Sequence, residues 1–486
     1  MNKAVRRGTG LSVIGLWLIG AVNASYAQDA CLDARVTASD AGVFNSFGRA
    51  VGVLGDTAII AAPWDNELGT EAGAVYVFRL DRQSSLWLET QKLLASDEQV
   101  GDNFGFSVAM DGELALIGAG HVHDEGGDVA YGAVYVFRFD PDSSGWIEEQ
   151  EIVASDSAFQ DGFGWSVSLS GDMALIGAIG VDDNGANSGS AYVFRFDPDT
   201  SRWVEEQKLL ASNGAGGDFF GQSVAVQGDM AIIGANGQDD ACRKNPNCNA
   251  GGAYVFRFDP KTSTWNETQK LLASDAAPND SFGDSVALFD DILVIGAHST
   301  DDNGNNSGSA YLFRFDPKRS AWIEEQKLLA SDGAGNDQLG RSVAVDGQRI
   351  VVGAHHHDDV GANQGAAYIF RYDANASQWV EQHKLLPNPN PWTGFFGWSV
   401  ALDGETIVIG AHGENQLTGA AYMFDLAPNC NCPQDLDADG SVGAFDLLSL
   451  LASWGPCKDC PADFDNNGNV GASDLLALLA NWGPCP

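Results

Sequence analysis

An aromatic–glycine step recurs seven times along this chain, with leucine replacing the aromatic in one copy. The copies are Phe47-Gly48, Phe104-Gly105, Phe163-Gly164, Phe220-Gly221, Phe282-Gly283, Leu339-Gly340 and Phe396-Gly397, at spacings of 57, 59, 57, 62, 57 and 57 residues. So regular a period marks one supersecondary unit stacked against copies of itself, because a single unit cannot bury its apolar face alone. Each unit follows one script: FGxSVA, a Gly/Asp turn, an apolar run ending in IGA, a polar loop, GAYVFRFD, a Pro/Ser/Thr loop, then WxEEQKLLASD. Helical periodicity is absent here. In the fourth unit Ser223–Val226 and Met230–Ala235 read as strands joined by a tight turn at 227–229, with Ala253–Asp259 and the more polar Trp265–Leu272 as the third and fourth. Four antiparallel strands repeated seven times predict an all-β fold, a seven-bladed β-propeller.

The ends of the repeat region support a ring. The seventh unit stops at Tyr422-Met423-Phe424 and lacks the WxEEQKLLASD segment, whereas residues 34–40, ARVTASD, align with QKLLASD elsewhere. The N-terminal strand is therefore expected to complete the last blade, leaving no long unpaired edge. A linear solenoid is the alternative.

The first residues read as an export signal. Lys3, Arg6 and Arg7 precede an apolar core at Leu11–Val22, too short to span a membrane, and Ser25-Tyr26-Ala27 gives a small-x-small cleavage site. Three regions follow: a signal peptide at 1–27, the propeller at 28–427 and a small module at 428–486. Removing the three basic residues leaves 23 Lys and Arg against 66 Asp and Glu, a net charge of −43. Such a surface repels phosphate backbones and anionic lipid and suits bound cations or a basic partner. Eight cysteines in an exported chain predict disulfides. Cys242 with Cys248 would staple a local loop and Cys31 with Cys430 would tie the ends of the repeat region, but spacing leaves the connectivity open.

Antiparallel order places the loops between second and third strands on the same face as the links between blades, and acidic residues concentrate in both. Asp182, Asn184, Asp301, Asn303, Asn305, His355 and Asp358 are the candidates on this face. Asp301-x-Asn303-x-Asn305-x-Ser307 alternates oxygen donors around a glycine, as a hard-cation loop does, although Asp, Asn and Gly are also good turn residues. His298, His355 and His412 share the slot after IGA or VGA in three consecutive blades, so a shared metal or base near the channel mouth is one reading and a loop-lining role the other. The serine of FGxSVA appears six times, and catalysis needs one activated serine, so these are structural. Trp87, Trp146, Trp203, Trp265, Trp322 and Trp379 mark one strand in each blade and read as inter-blade packing. Trp165, Trp392 and Trp398 fall outside that register and are better ligand candidates.

After Pro428 a second repeat begins, of period 28. Asp435, Asp437, Asp439, Ser441 and Asp446 occupy positions 1, 3, 5, 7 and 12 of one loop, and Asp463, Asp465, Asn467, Asn469 and Asp474 those of the next, each with glycine at position 6 and a Leu-rich helix following. This is the donor pattern of an EF-hand-type calcium loop, position 7 giving its backbone carbonyl, and it predicts bound Ca²⁺. In so small a module, metal and disulfides are expected to supply much of the folding free energy. Cys432 and Cys460 precede the loops and Cys457 and Cys485 follow the helices, allowing two symmetric pairings.

The seven repeats resemble the bacterial FG-GAP family, related to the propeller of integrin α-subunits. One departure matters: integrin-type repeats carry a DxDxDG loop between the first and second strands, where this chain has two- or three-residue turns such as Asp346-Gly347-Gln348. The duplicated loop-helix with Asp at position 12 resembles a type I dockerin, whose recognition positions correspond to Ala444 with Phe445 and Ala472 with Ser473. The basic residues common along dockerin helices are missing. The resemblances imply a secreted or cell-surface monomer, non-catalytic and adhesive, whose acidic face binds a ligand and whose tail docks to a cohesin-like or other scaffold protein, or to an extracellular glycan. A glycan-degrading enzyme and a structural envelope protein are the rival readings.

Overall fold

The structure is a computed structural model. It describes residues 31–84, 86–97, 100–120, 131–242, 248–359, 361–387, 393–426, 434, 436, 441–456, 462–464, 468–480 and 482–484.

Strand-forming repeats joined by turns too short to reverse direction otherwise give antiparallel neighbours. The result is seven four-stranded sheets, a seven-bladed β-propeller. The fourth blade shows the common plan, with strands Ser223–Gln227, Met230–Ala235, Gly252–Asp259 and Thr264–Leu271 pairing in sequence order. In the seventh blade the strands Ser399–Asp403, Thr406–Ala411 and Ala420–Asp425 are joined on the open side by Cys31–Val36, which pairs antiparallel with Ala420–Asp425. The first described strand thus seals the ring, as its alignment with the fourth-strand motif predicts.

The second and third strands are almost wholly buried and supply the cores between blades. The phenylalanine of the FG step packs edge-on against the tyrosine and phenylalanine of GAYVF: Phe104 lies 5.4 Å from Tyr135 and 6.0 Å from Phe137. Such a pair contributes about 0.5–1.5 kcal/mol beyond area burial. The backbone N–H of Phe104 donates to the carbonyl of Ala72 in the preceding blade. A Cβ on Gly73 would lie 2.2 Å from the Phe104 carbonyl oxygen, and Gly73 has φ +105°. Both facts require glycine three residues before the tyrosine of the third strand.

The residues that recur in each unit are spent on joining blades. The six serines of FGxSVA donate to the glycine carbonyl of the next FG step, from Ser107 to Gly164 around to Ser399 to Gly48, at 2.8–2.9 Å. Further out, Gln91 Nε2 donates to the Trp146 carbonyl at 2.8 Å while its Oε1 accepts from the Trp146 N–H at 2.7 Å, and four more blades repeat this clasp. The tryptophan rings themselves sit in cores shared by adjacent blades, so they serve inter-blade packing. Ser96 holds Glu148 of the next blade through its N–H and hydroxyl, and Arg195 lies over Phe258 of the next blade at 5.6 Å.

Beyond the propeller, two helices, Ala444–Ala452 and Ala472–Ala480, pack together, and two short strand pairs, Ser441–Val442 with Gly483–Pro484 and Gly455–Pro456 with Asn469–Val470, link the halves reciprocally. Val442, Leu450, Ala462, Val470 and Leu478 form their core. Among the described residues no helix is long and apolar enough to cross a membrane.

Candidate ligand-binding mouth of the propeller

The first strand of every blade lines the axis, and the residue between FG and Ser is carried there at one fixed register. While its neighbours barely vary, this residue differs almost everywhere: Arg49, Phe106, Trp165, Gln222, Asp284, Arg341 and Trp398. Most of them touch in order around the axis. The Arg49 guanidinium lies 5.0 Å from the Phe106 ring, Phe106 lies 4.7 Å from Trp165, Gln222 donates to Asp284 Oδ1 at 3.0 Å, Arg341 pairs with Asp284 Oδ2 at 2.7 Å, and Trp398 sits within 4.6 Å of both guanidiniums.

The slot after IGA forms a second tier above this ring. His298 Nδ1 lies 3.2 Å from Asp284 Oδ2 and Asn236 Nδ2 donates to Asp284 Oδ1 at 2.9 Å. His355 and His412 both meet Trp398 edge-on, at 4.8 and 4.5 Å, and His412 stacks on Phe395 at 5.4 Å. The three equivalent histidines thus divide between a carboxylate and an aromatic cluster. Burial holds the imidazole of His355 well below the ordinary histidine range, with His356 adding to it, and lowers His412 to about 3, with Arg49 and Arg341 adding to it. Both are neutral at pH 7. Burial pushes the Asp284 carboxyl up, but Arg341, His298 and Asn236 outweigh it and hold the group well below the usual carboxylate range. Beside the ring, Ile179, Phe219, Gln222, Asn236, Gly237, Asn249 and Ser281 line an open cavity of ≈ 380 Å³.

The acidic loops around this mouth are extensively paired within the fold. Lysine of the QKLL motif reaches back to them: Lys208 Nζ lies 2.6 Å from Asp156 and 2.5 Å from Asp183, and Lys327 lies 2.7 Å from Asp275 and 2.6 Å from Asp302. Tyr192 and Tyr311 donate to the same Asp156 and Asp275. Asp182 Oδ1 and Asp301 Oδ1 accept the N–H five residues on, from Asn187 and Asn306 at 2.8 Å, and Asp358 does the same for Asn363. Asn184 and Asn303 donate their N–H groups to Ser188 and Ser307, and the Asn305 carbonyl accepts from Asn336 N–H. These are turn-forming roles. His355 belongs to the inner mouth, while Asp358 braces its own loop.

Among the described residues, one His/carboxylate group has ligand atoms within 4.8 Å of one another: Asp332, His357 and Asp359. Its centre already holds a cation, since Lys384 Nζ lies 2.7 Å from Asp332, 2.5 Å from Asp359 and 2.7 Å from His357 Nε2. That constellation is the lysine–aspartate pairing of the other blades with a histidine added.

In the C-terminal module, Asp446 and Asp474 are fully buried. Each carboxylate braces its loop in the same way: Asp446 accepts from Leu436 N–H at 2.6 Å and Gly443 N–H at 2.7 Å, Asp474 from Phe464 N–H at 2.8 Å and Gly471 N–H at 2.9 Å. Asp463 accepts from Gly468 N–H at 2.7 Å, and Asn469 is exposed. Asp435, Asp437, Asp439, Asp465, Asn467 and the Ser441 side chain lie outside the described residues, as does Trp392. Cys248 is disulfide-bonded, and the described residues hold no free cysteine.

Of the mouth, the sequence flags Trp165, Trp398 and the histidine slot. It misses Arg49, Phe106, Gln222, Asp284 and Arg341 because the x of FGxSVA looks like a position of no consequence. The available signal is variation at a fixed register inside otherwise uniform repeats.

A ring of near-identical blades with one dissimilar side chain per blade at its mouth defines a repeat-built propeller, a fold that points to a binding or adhesion-like role rather than catalysis. The chain belongs to the FG-GAP repeat family, whose repeat matches at residues 32–78, 87–137, 146–194, 203–256, 265–313, 322–370 and 379–424. It is also similar to Kelch-like protein 36 of Mus musculus and of Rattus norvegicus, at 22% identity over 265 residues in each case. The matched stretch is 54% of this chain and 38% of those proteins, so the chain spans well under half of their length.

Proposed function

We propose that this chain is an extracellular, calcium-binding adhesion protein, non-catalytic, whose propeller mouth binds a glycan and whose C-terminal module docks it to a scaffold or surface protein. The observation that carries the reading is the asymmetric mouth. The serine, glutamine, lysine and tyrosine side chains repeated from blade to blade have structural partners, and asymmetry collects where seven first strands converge. Aromatic rings beside amides and guanidiniums form a surface suited to sugars, which offer C–H faces and hydroxyls together. Two catalytic requirements lack support: the repeated serines donate to glycine carbonyls, and His355 and His412 lie against the Trp398 ring with their Nδ1 atoms unpartnered among the described residues.

For the module, the reading rests on hard oxygen donors at EF-hand spacing and on the buried Asp446 and Asp474, which project carboxylates into both loops. The helices and the residues just beyond them also expose Leu448, Leu451 and Trp454 on one repeat and Leu476, Leu479 and Trp482 on the other, each residue at least 47% accessible. A duplicated apolar stripe of this kind suits a dockerin-like contact with a protein partner. FG-GAP repeat proteins are often extracellular or surface-exposed, in keeping with the export signal.

Calorimetric titration of neutral and acidic oligosaccharides into the full chain tests the mouth. Binding that weakens at least tenfold in Trp165→Ala and in Trp398→Ala, with no sugar released, is expected. Binding untouched by both variants, or sugar release, would overturn it. Calcium titration into the same protein should show about two ions, reduced by Asp446→Asn and Asp474→Asn. Uptake of none would remove the calcium assignment.

A further inference from the structure

The mouth carries polar atoms whose needs the described residues do not meet, and they differ in kind. Asp284 accepts from Arg341, Gln222 and Asn236, with His298 Nδ1 3.2 Å away, so its charge is spent mainly on Arg341. Arg49 has no such partner. Its guanidinium lies between the rings of Phe106 and Trp398, and no described oxygen accepts from it. Burial together with the nearby Arg341 lowers its pKa to about 9, which leaves it charged at pH 7. The mouth therefore holds a cation that Asp284 eases only through space, with no carboxylate bonded to it among the described residues, in a chain of net charge −40. Meanwhile Asn236 Oδ1, an acceptor at the edge of the ≈ 380 Å³ cavity, is buried without a hydrogen-bond partner, as are the Nδ1 atoms of His355 and His412, residues only 3% and 7% accessible.

A buried donor or acceptor left unmade costs about 1–3 kcal/mol, so such atoms mark where a ligand completes the structure. The missing complement is specific: an anionic, planar acceptor for a guanidinium, and hydroxyl donors for a carboxamide oxygen. A carboxylate matches the guanidinium fork in two parallel hydrogen bonds. A sugar ring supplies the hydroxyls and an apolar C–H face for Phe219, which lines the cavity.

We propose that the propeller mouth recognises an acidic polysaccharide built of uronic acid units, with the carboxylate of one unit on Arg49 and a hydroxyl of another on Asn236 Oδ1. This rests on the reading that the mouth is the ligand site and names the ligand's class. The test is calorimetry on the full chain with galacturonate and glucuronate oligomers, their carboxyl-reduced counterparts and an acidic peptide. The expected result is binding of a uronate oligomer that weakens at least tenfold on carboxyl reduction, at least tenfold in Arg49→Gln, and no further when the two changes are combined. Arg49→Lys, which keeps the charge but not the planar fork, should fall between, and its melting curve controls for misfolding. Equal binding of the carboxyl-reduced oligomer, or indifference to Arg49→Gln, overturns the proposal. A neutral sugar bound through Trp165 overturns it while leaving the mouth reading intact. Binding of the acidic peptide without any uronate overturns it in favour of a protein ligand.

Discussion

The serine of FGxSVA and the glycine of IGA are one device split across two strands. A Cβ on Gly234 would lie 2.0 Å from the Gly283 carbonyl oxygen of the next blade and 2.4 Å from Ser223 Oγ, and the same crowding recurs at Gly118, Gly177, Gly296, Gly353 and Gly410. In the first blade both residues change together, to Ala50 and Ala61. The serine that would crowd a methyl is absent where the methyl is present. Gly234→Ala should therefore destabilise by about 2 kcal/mol or more. In a denaturant-melt cycle, adding Ser223→Ala should cost less than its effect alone, because one of the two clashes is gone. Strict additivity would contradict the coupling. Asp218 offers a pH-dependent counterpart. It is 3% accessible, and burial raises its pKa from 3.8 to about 6, against the Ala215 N–H bond. The folded value lies above the unfolded one, so the ionised group destabilises the fold above pH 6 and the cost fades as pH falls toward 4. Asp218→Asn should raise the melting temperature at pH 8, by the equivalent of up to roughly 3 kcal/mol, and give little gain at pH 4.

At the scale of elements, the seal of the ring reproduces in altered residues what the other blades achieve with lysine, aspartate and tyrosine. Arg35, on the N-terminal strand, aligns with those lysines and pairs with Glu414, whose other oxygen accepts from Tyr422 at 2.8 Å. Glu414 is 3% accessible. Arg35→Met would strand a buried carboxylate and should cost about 3–5 kcal/mol, and Glu414→Gln, which leaves the more exposed partner charged, should cost less. Equal losses in thermal melts would argue that the pair is not buried in solution. The seal itself was legible in the sequence, because a missing fourth strand and a surplus leading strand complement each other. The Glu414 substitution was not, since it falls in a loop without the repeat's spacing. The bulge in the fourth strand was likewise hidden. It lies at Glu206, between Gln207 opposite Val193 and Glu205 opposite Phe194, and it frees Glu206 to meet Arg195 at 2.7 Å. Periodic apolar residues announce strands, whereas a one-residue bulge leaves the composition unchanged.

Across the whole molecule, blade count followed from the repeats and closure from their complementary ends, while the centre of the mouth did not. Repeat logic reports what blades share, and the mouth is built from what they do not share: Arg49, Gln222 and Asp284 stand at equivalent positions yet act together only because seven strands meet at one axis. The acidic loops show the converse. They look like a ligand surface in sequence, but Lys208, Lys327 and Lys384 lie a strand away and claim them in the fold. The central claim is that binding occurs at this axial mouth. Hydrogen–deuterium exchange on the full chain, with and without the tightest-binding oligosaccharide of the panel, tests it most directly. Protection should concentrate at 47–50, 163–166, 220–223, 282–285 and 396–399, where the first strands begin. Protection confined to the opposite-face turns at 227–230 and 346–349, or to the outer strands, would contradict it.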